Sequence, residues 1–159
     1  MHPHSEALTR LFTALDRHDH EAMAACYAEH ASFRDIAFKL EGRTRIHAMW
    51  HMICEGDIRT SFKIDEVDDR TAFVTVVDDY TFRAKGRKVH NVIQSRFRFK
   101  DGSIVEQQDS CDTRKWASMA IGGVGGFLAG RISLLRVAKA RRTLDTFIET
   151  HPQDRKSVV

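Results

Sequence analysis

The stretch KVHNVIQSRFRFKDGSIVEQQDSCD, Lys88 to Asp112, decides how the rest of the chain is read. Two alternating runs meet at Lys100-Asp101-Gly102-Ser103, and an Asp-Gly pair between such runs is the strongest short-range hairpin signal. Strand side chains alternate in direction, so Asn91, Ile93, Ser95, Phe97 and Phe99 share one face of the first arm. His90, Val92, Gln94, Arg96 and Arg98 share the other. On the second arm Val105, Gln107, Asp109 and Cys111 fall together, opposite Ile104, Glu106, Gln108 and Ser110. An aspartate near the end of a packable face is costly unless a bulge turns it outward or a cavity receives it. The cavity is the preferred reading.

Working outward, Phe62–Val67 and Thr71–Arg83 read as two more strands, with short polar turns at Asp68-Asp69 and Lys85-Gly86-Arg87. Such a meander makes antiparallel sheet. Ahead of it, Ser5–Arg17 is an amphipathic helix with Leu8, Leu11, Phe12 and Leu15 at helical spacing and Ser5 as N-cap. A short second helix is expected to turn Met23, Ala24 and Tyr27 inward. Ala31–Asp35 reads as a short strand, Ile36–Gly42 as a loop, and Arg43–Ile53 as a helix burying Ile46, Met49, Trp50 and Ile53. Beyond the hairpin come a helix at Thr113–Ala120, a glycine-rich linker at Gly122–Gly130, a basic amphipathic helix at Arg131–Thr150 and a polar tail. The fold class is α+β: a strongly bent antiparallel sheet wrapped on N-terminal helices, forming a cone with an internal pocket. Residues 1–116 make the cone, and 117–159 are an appendage of the same domain.

At 159 residues the chain is long enough for one core of its own. Hydrophobic content of 42% with 30% charged residues fits an ordinary folded protein. The net charge of +3, without basic runs interleaved with aromatics, argues against nucleic acid as a partner. Three widely spaced cysteines (Cys26, Cys54, Cys111) suit a reducing, cytoplasmic setting. The N-terminus carries no apolar stretch behind a basic start, so a secretory signal is not expected. No apolar run reaches the length of a membrane span.

At this point LFTALDRHDHEAMAACYAEHASFRD, EGRTRI and the hairpin ending in QQDSCD resemble the SnoaL-like branch of the nuclear transport factor 2-like cone fold. That branch includes ketosteroid isomerases, limonene epoxide hydrolase, polyketide cyclases and binding proteins without activity. The resemblance spans roughly Ser5 to Trp116. It implies a general-base aspartate at Asp35, while the isomerases' oxyanion tyrosine and oxyanion aspartate fall at Leu11 and Ser95. By similarity to the epoxide hydrolase, its acid aspartate matches Asp109, its Arg and second Asp fall at Asp78 and Tyr80, and its water-holding asparagine falls at Asp35.

Apart from any family, strand parity sets Val74, Val76, Asp78 and Tyr80 on one face. If that face is concave, Asp78, Tyr80 and Asp109 look into one pocket, with Asp35 at its wall and Trp50 at its rim; Ser95, Phe97, Ile93 and Gln107 complete the lining. Carboxylates sharing a partly apolar pocket cannot all ionise cheaply, so one holds a proton near neutrality while another stays a base. The competing reading has Asp78-Asp79 at a surface bulge and Asp109 bonded to backbone or an Arg. His47 and His51, one turn apart with Cys54 beyond, lack the glutamate of HExxH and are read as a solvated or pocket-edge pair, so no metal is expected. The glycines of GGVGGFLAG fit no phosphate-loop spacing and read as a hinge. Two functions stay open: an isomerase, cyclase or hydrolase acting on a small apolar molecule through Asp109 and Asp35 without a cofactor, or a non-catalytic binding module. A homodimer is expected, and membrane contact through the last helix is not.

Overall fold

Six strands form a single curled, unclosed sheet in the order β2-β1-β6-β5-β4-β3. They are Tyr27–Arg34 (β1), Lys39–Glu41 (β2), Arg59–Val67 (β3), Thr71–Phe82 (β4), Arg87–Lys100 (β5) and Ser103–Cys111 (β6). Neighbours are antiparallel except β1 and β6, which run parallel and pair up to Arg34 and Gln108. The computed structural model describes residues 1–122 and 139–151.

Helices α1 (Pro3–Asp16), α2 (His20–Ala24) and α3 (Arg43–Cys54) pack with the inward face of the sheet. Leu8, Leu11, Phe12 and Leu15 of α1 and Ile46, Met49 and Trp50 of α3 join Phe33, Val74, Val76, Phe97 and Ile104 of the sheet in the main core. Phe12 stacks on Phe62 at 5.1 Å and meets Phe97 edge-on at 6.0 Å. Helix α4 (Thr113–Ala120) packs Trp116, Ala117 and Ala120 on Val89 and Phe82 as a smaller second core.

The hairpin forms as read. Asp101 (φ 50°) and Gly102 (φ 78°) both take left-handed backbone, the requirement of a tight turn that follows the sheet's twist. Along β5 the burial alternates as expected. On β6 a bulge intervenes: Phe99 pairs with Ile104 but Arg98 with Glu106, leaving Val105 as the extra residue. Ile104 therefore turns into the core and Val105 does not, which corrects the expected parity at these two positions. From Gln107 onward the expected face holds.

Three boundaries also differ from expectation. Helix α1 starts at Pro3 with His2 as N-cap, and Ser5 is buried within the first turn. Proline at the first helical position needs no amide donor, so the helix extends two residues further back. Tyr27 opens β1 rather than closing α2. Lys39–Glu41, read as loop, pairs with β1 through Phe33 and Leu40; a single inward Leu40 is too little pattern to reveal a strand.

Residues 139–150 are helical. Leu144 is fully buried in the main core, Ala140 and Ile148 pack against it, and Arg45 bonds Asp145 at 2.8 Å. The later half of the last helix's apolar stripe thus lies on its own domain. The linker after Gly122, the earlier stripe at Ile132, Leu134 and Leu135, and the tail beyond His151 lie outside the described residues. Among the described residues no helix is long and apolar enough to cross a membrane.

Candidate functional site

The site grows from β6. Gln107 is almost completely buried, and a buried amide must satisfy both its ends. Trp50 of α3 can only donate, and its Nε1–H reaches Tyr27 Oη at 3.1 Å. Tyr27 therefore spends its single proton on Gln107 Oε1, at 2.5 Å. That contact turns the Gln107 amide nitrogen towards Asp109, where it donates to Oδ1 at 3.1 Å and Oδ2 at 3.3 Å. The chain Trp50–Tyr27–Gln107–Asp109 has one polarity, set by the indole.

Asp109 cannot give a proton to Gln107, whose nitrogen is a donor already. When protonated, its hydroxyl must point elsewhere. Opposite it in the register stands Ser95, whose buried hydroxyl makes no hydrogen bond of regular geometry yet lies close enough to moderate the Asp109 charge. Burial pushes the Asp109 carboxyl up to about 7, against the lowering by Ser95 and Gln107 and with smaller help from the charges of Asp35 and Asp78. The group is thus close to half protonated at neutral pH.

Beside it opens a cleft of about 530 Å³, lined by Asp35, Ile36, Ser95, Asp109, Cys111 and Thr113, and on its outer side by Arg34, Phe73, Gln94, Arg96, Gln108 and Ser110. Four consecutive residues of β6 line it, so it wraps round the strand rather than resting on one face. The wrap is possible because β1 ends: its last pair with β6 is Arg34–Gln108, and beyond it Asp109–Cys111 pairs with no strand on that side among the described residues. Asp35, just past that end, accepts the backbone N–H groups of Ala37 at 2.7 Å and Phe38 at 2.6 Å, which pins its carboxylate at the mouth.

A family model for the SnoaL-like domain matches residues 8–107. The chain belongs to that family. Solved structures agree on the fold of this SnoaL-like protein. An LEH-like epoxide hydrolase of M. tuberculosis is 17% identical with a TM-score of 0.60, covering 84% of this chain and 95% of its own. A polyketide cyclase candidate from Silicibacter sp. TM1040 is 16% identical (TM-score 0.66; 73% and 93% covered). An isomerase candidate from Bacillus subtilis is 17% identical (TM-score 0.64; 76% and 94%). At such identities the likeness carries the fold alone. No curated protein matches the chain.

Of the residues expected at the SnoaL-like pocket, Asp35, Ser95 and Asp109 share the cleft. Asp78 does not line it. It sits in the cross-strand row Thr60–Asp78–Asn91, and the row of Val76, Ile93 and Cys111 separates it from Ser95 and Asp109. There it accepts a hydrogen bond from Thr60, and burial raises its carboxyl to about 6. Tyr80 lines a second cavity, of about 300 Å³, with Asp57, Arg59 and Lys88. Trp116 donates to its hydroxyl at 2.7 Å, and burial lifts the phenol to about 12. Trp50 is a buried core residue rather than a rim residue, because its indole N–H is committed to Tyr27. Phe97 is consumed by packing on Phe12, Ile93 lies between the two acid rows, and Gln107 acts from behind Asp109. None of these four lines the cleft.

Sequence reasoning missed Tyr27, Thr60 and the arginines Arg34 and Arg96. Tyr27 was hidden by its assignment to a helix, and Thr60 by starting β3 too late. The outward parity of Arg96 made it look like solvated surface.

Proposed function

We propose that this SnoaL-like cone binds a small, largely apolar molecule with a polar end in the cleft beside Asp109 and transfers a proton there, in an isomerisation, cyclisation or hydrolysis. The observation that carries the reading is Asp109 beside the cleft: burial lifts its carboxyl to about 7, and the polarised chain behind it leaves no acceptor at Gln107, so its proton is directed to the side where the cleft lies. A group titrating close to the working pH is the best compromise between holding a proton and giving it up. Asp35, fixed by two amides across the cleft, supplies the second carboxylate that such chemistry needs as base or charge stabiliser. Ile36, Phe73 and Cys111 provide apolar surface, and Arg34 and Arg96 suit a carboxylate, enolate or phenolate on the guest.

The experiment is a turnover screen with epoxides, enolisable ketones and aromatic polyketide-like substrates, run with wild type, Asp109→Asn and Asp35→Asn. Turnover that Asp109→Asn abolishes while ligand binding survives supports the reading; turnover indifferent to Asp109 overturns it. The arginines and the open mouth of the cleft favour a second reading, a non-catalytic receptor for an anionic small molecule, which predicts binding that Asp109→Asn leaves intact and no turnover. A second copy of the chain is the proposed partner. Val92, 47% exposed on the outer face of the sheet, is apolar surface that such a copy would cover, and sedimentation measures it.

A further inference from the structure

Five histidine and glutamate side chains gather where the last helix meets α3, on a side of the molecule that the cleft does not use. His51 in the last turn of α3 and Glu55 at its C-cap lie one helical turn apart, so both project from the same side. His151 comes to them from the end of the last helical segment. One ligand atom from each of His51, Glu55 and His151 lies within 4.8 Å of the others.

The hydrogen bonds around His151 settle its tautomer. Its Nδ1 is 2.9 Å from the carbonyl oxygen of Phe147, which can only accept, and 3.0 Å from Thr150 Oγ1, whose own proton goes to the carbonyls of Thr146 and Phe147, so Nδ1 carries the proton. In the neutral ring Nε2 then bears a lone pair, and it stands 3.5 Å from Glu55 Oε1. Two lone-pair donors facing each other repel unless a cation lies between them. That cation is either a proton on the ring or a metal ion. An imidazole whose far nitrogen donates to a backbone carbonyl is oriented as metal-ligating histidines are.

His51 is held in place by stacking. Its ring lies flat on His20 at 3.8 Å and edge-on to Phe147 at 5.0 Å, while Phe147 stacks on His151 at 3.9 Å. His20 in turn bonds His47 at 2.8 Å, which engages His47 in a different contact. Burial raises the Cys54 thiol to about 11, so it offers no thiolate near neutrality. The His47–His51–Cys54 stripe considered from sequence is therefore not the ligand set. The third ligand comes from a residue 100 positions along the chain.

We propose that His51, Glu55 and His151 bind one divalent transition-metal ion of the zinc type, which clasps the end of the last helix to α3. Two imidazoles and one carboxylate are borderline donors, suited to Zn²⁺, Co²⁺ or Ni²⁺ and poorly suited to Mg²⁺ or Ca²⁺. Metal–ligand bonds of about 2.0–2.2 Å require the three donor atoms to draw in by roughly an ångström, within reach of side-chain rotation. A fourth position is left for water or another ligand.

The test uses the full-length, tag-free chain after treatment with a chelator. Zn²⁺ is titrated calorimetrically, and Co²⁺ by its visible absorption, for wild type, His151→Ala, Glu55→Gln and the control His90→Ala. Wild type and control should take up one equivalent. His151→Ala and Glu55→Gln should each weaken binding by at least about 100-fold, since loss of even an outer-shell partner costs about 10–100-fold. Zn²⁺ should also raise the thermal midpoint of wild type and leave that of His151→Ala unmoved. Absence of a one-to-one site, or a site equally strong in both variants, overturns the proposal. Both altered residues reach solvent, and Glu55→Gln keeps the shape of its side chain, so a fold defect in one leaves the other to decide.

Discussion

Replacing Asp109 by asparagine should make the protein more stable, and increasingly so as pH rises. The carboxyl titrates near 7 in the folded protein against 3.8 for an unperturbed aspartate. Between those values the native state holds a proton that the unfolded chain has released, so wild-type stability falls as pH rises. At about pH 5 the unfolded chain is ionised and the native group is not, a difference worth about 2 kcal/mol against folding at 1.36 kcal/mol per unit. At about pH 8 both are ionised, and the penalty reaches about 4 kcal/mol. Asparagine keeps the shape and the acceptor for Gln107 and carries no charge. The gap between Asp109→Asn and wild type should therefore widen by roughly 2–3 kcal/mol from about pH 5 to about pH 8. Asp78, raised to about 6, titrates in the same window but is common to both proteins and largely cancels. Urea unfolding of the pair at the two pH values measures the widening. A gap that stays constant would mean Asp109 is well solvated, and the proton-transfer reading would lose its donor.

Three other outcomes follow from the same contacts. Tyr27→Phe strands Trp50 Nε1 and Gln107 Oε1 in the core and should cost about 1–3 kcal/mol in urea unfolding; a loss under about 0.5 kcal/mol would show the chain is not formed. Asp35→Asn removes a negative charge facing Asp109 and should lower the Asp109 pKa, visible as an acid-ward move of its carboxyl carbon resonance in an NMR titration. An unchanged midpoint would place Asp35 too far away to matter. Leu144→Ala should cost about 2–5 kcal/mol in denaturation, because Leu144 is the fully buried residue by which the last helical segment docks on the main core; a neutral result would mean that segment is undocked in solution.

The hairpin was legible because its signals are local: an Asp-Gly turn needing left-handed backbone, and a strict alternation that a single buried face enforces. The same locality explains the errors. The Val105 bulge arises from pairing with β5, so nothing in the second arm alone announces it, and Ile104 and Val105 exchanged faces. Asp109 shares its cleft with Asp35 and Ser95, as expected, but not with Asp78 or Tyr80. Parity says which side of the sheet a residue takes but not which cross-strand row, and Asp78 is two rows from Asp109. Tyr27 shows a third limit: its role depends on contacts 23 and 80 residues away, with Trp50 and Gln107. The His51–Glu55–His151 cluster is the same case, since one ligand lies beyond the glycine-rich segment and no spacing rule joins them.

The position of Asp109 explains why this residue, rather than a neighbour, carries the chemistry proposed. A carboxyl must be buried for desolvation to lift its pKa, and it must be reachable for its proton to be used. These demands conflict along most of β6. Gln107, two residues earlier, is flanked by β1 and β5 and is 1% exposed, so an acid there would be dry and inaccessible. Gln108 and Ser110, with the opposite parity, are exposed to solvent on the outer face, where a carboxylate would keep its ordinary pKa. Among the described residues of β6, only the inward one just past the last β1 pair has protein behind it and an opening beside it. The end of β1 at Arg34 thus sets both the acidity and the access. Lengthening β1 through Asp35 would seal the edge and remove the second carboxylate from the mouth in one step, so the short parallel strand is as much a part of the site as the acid itself.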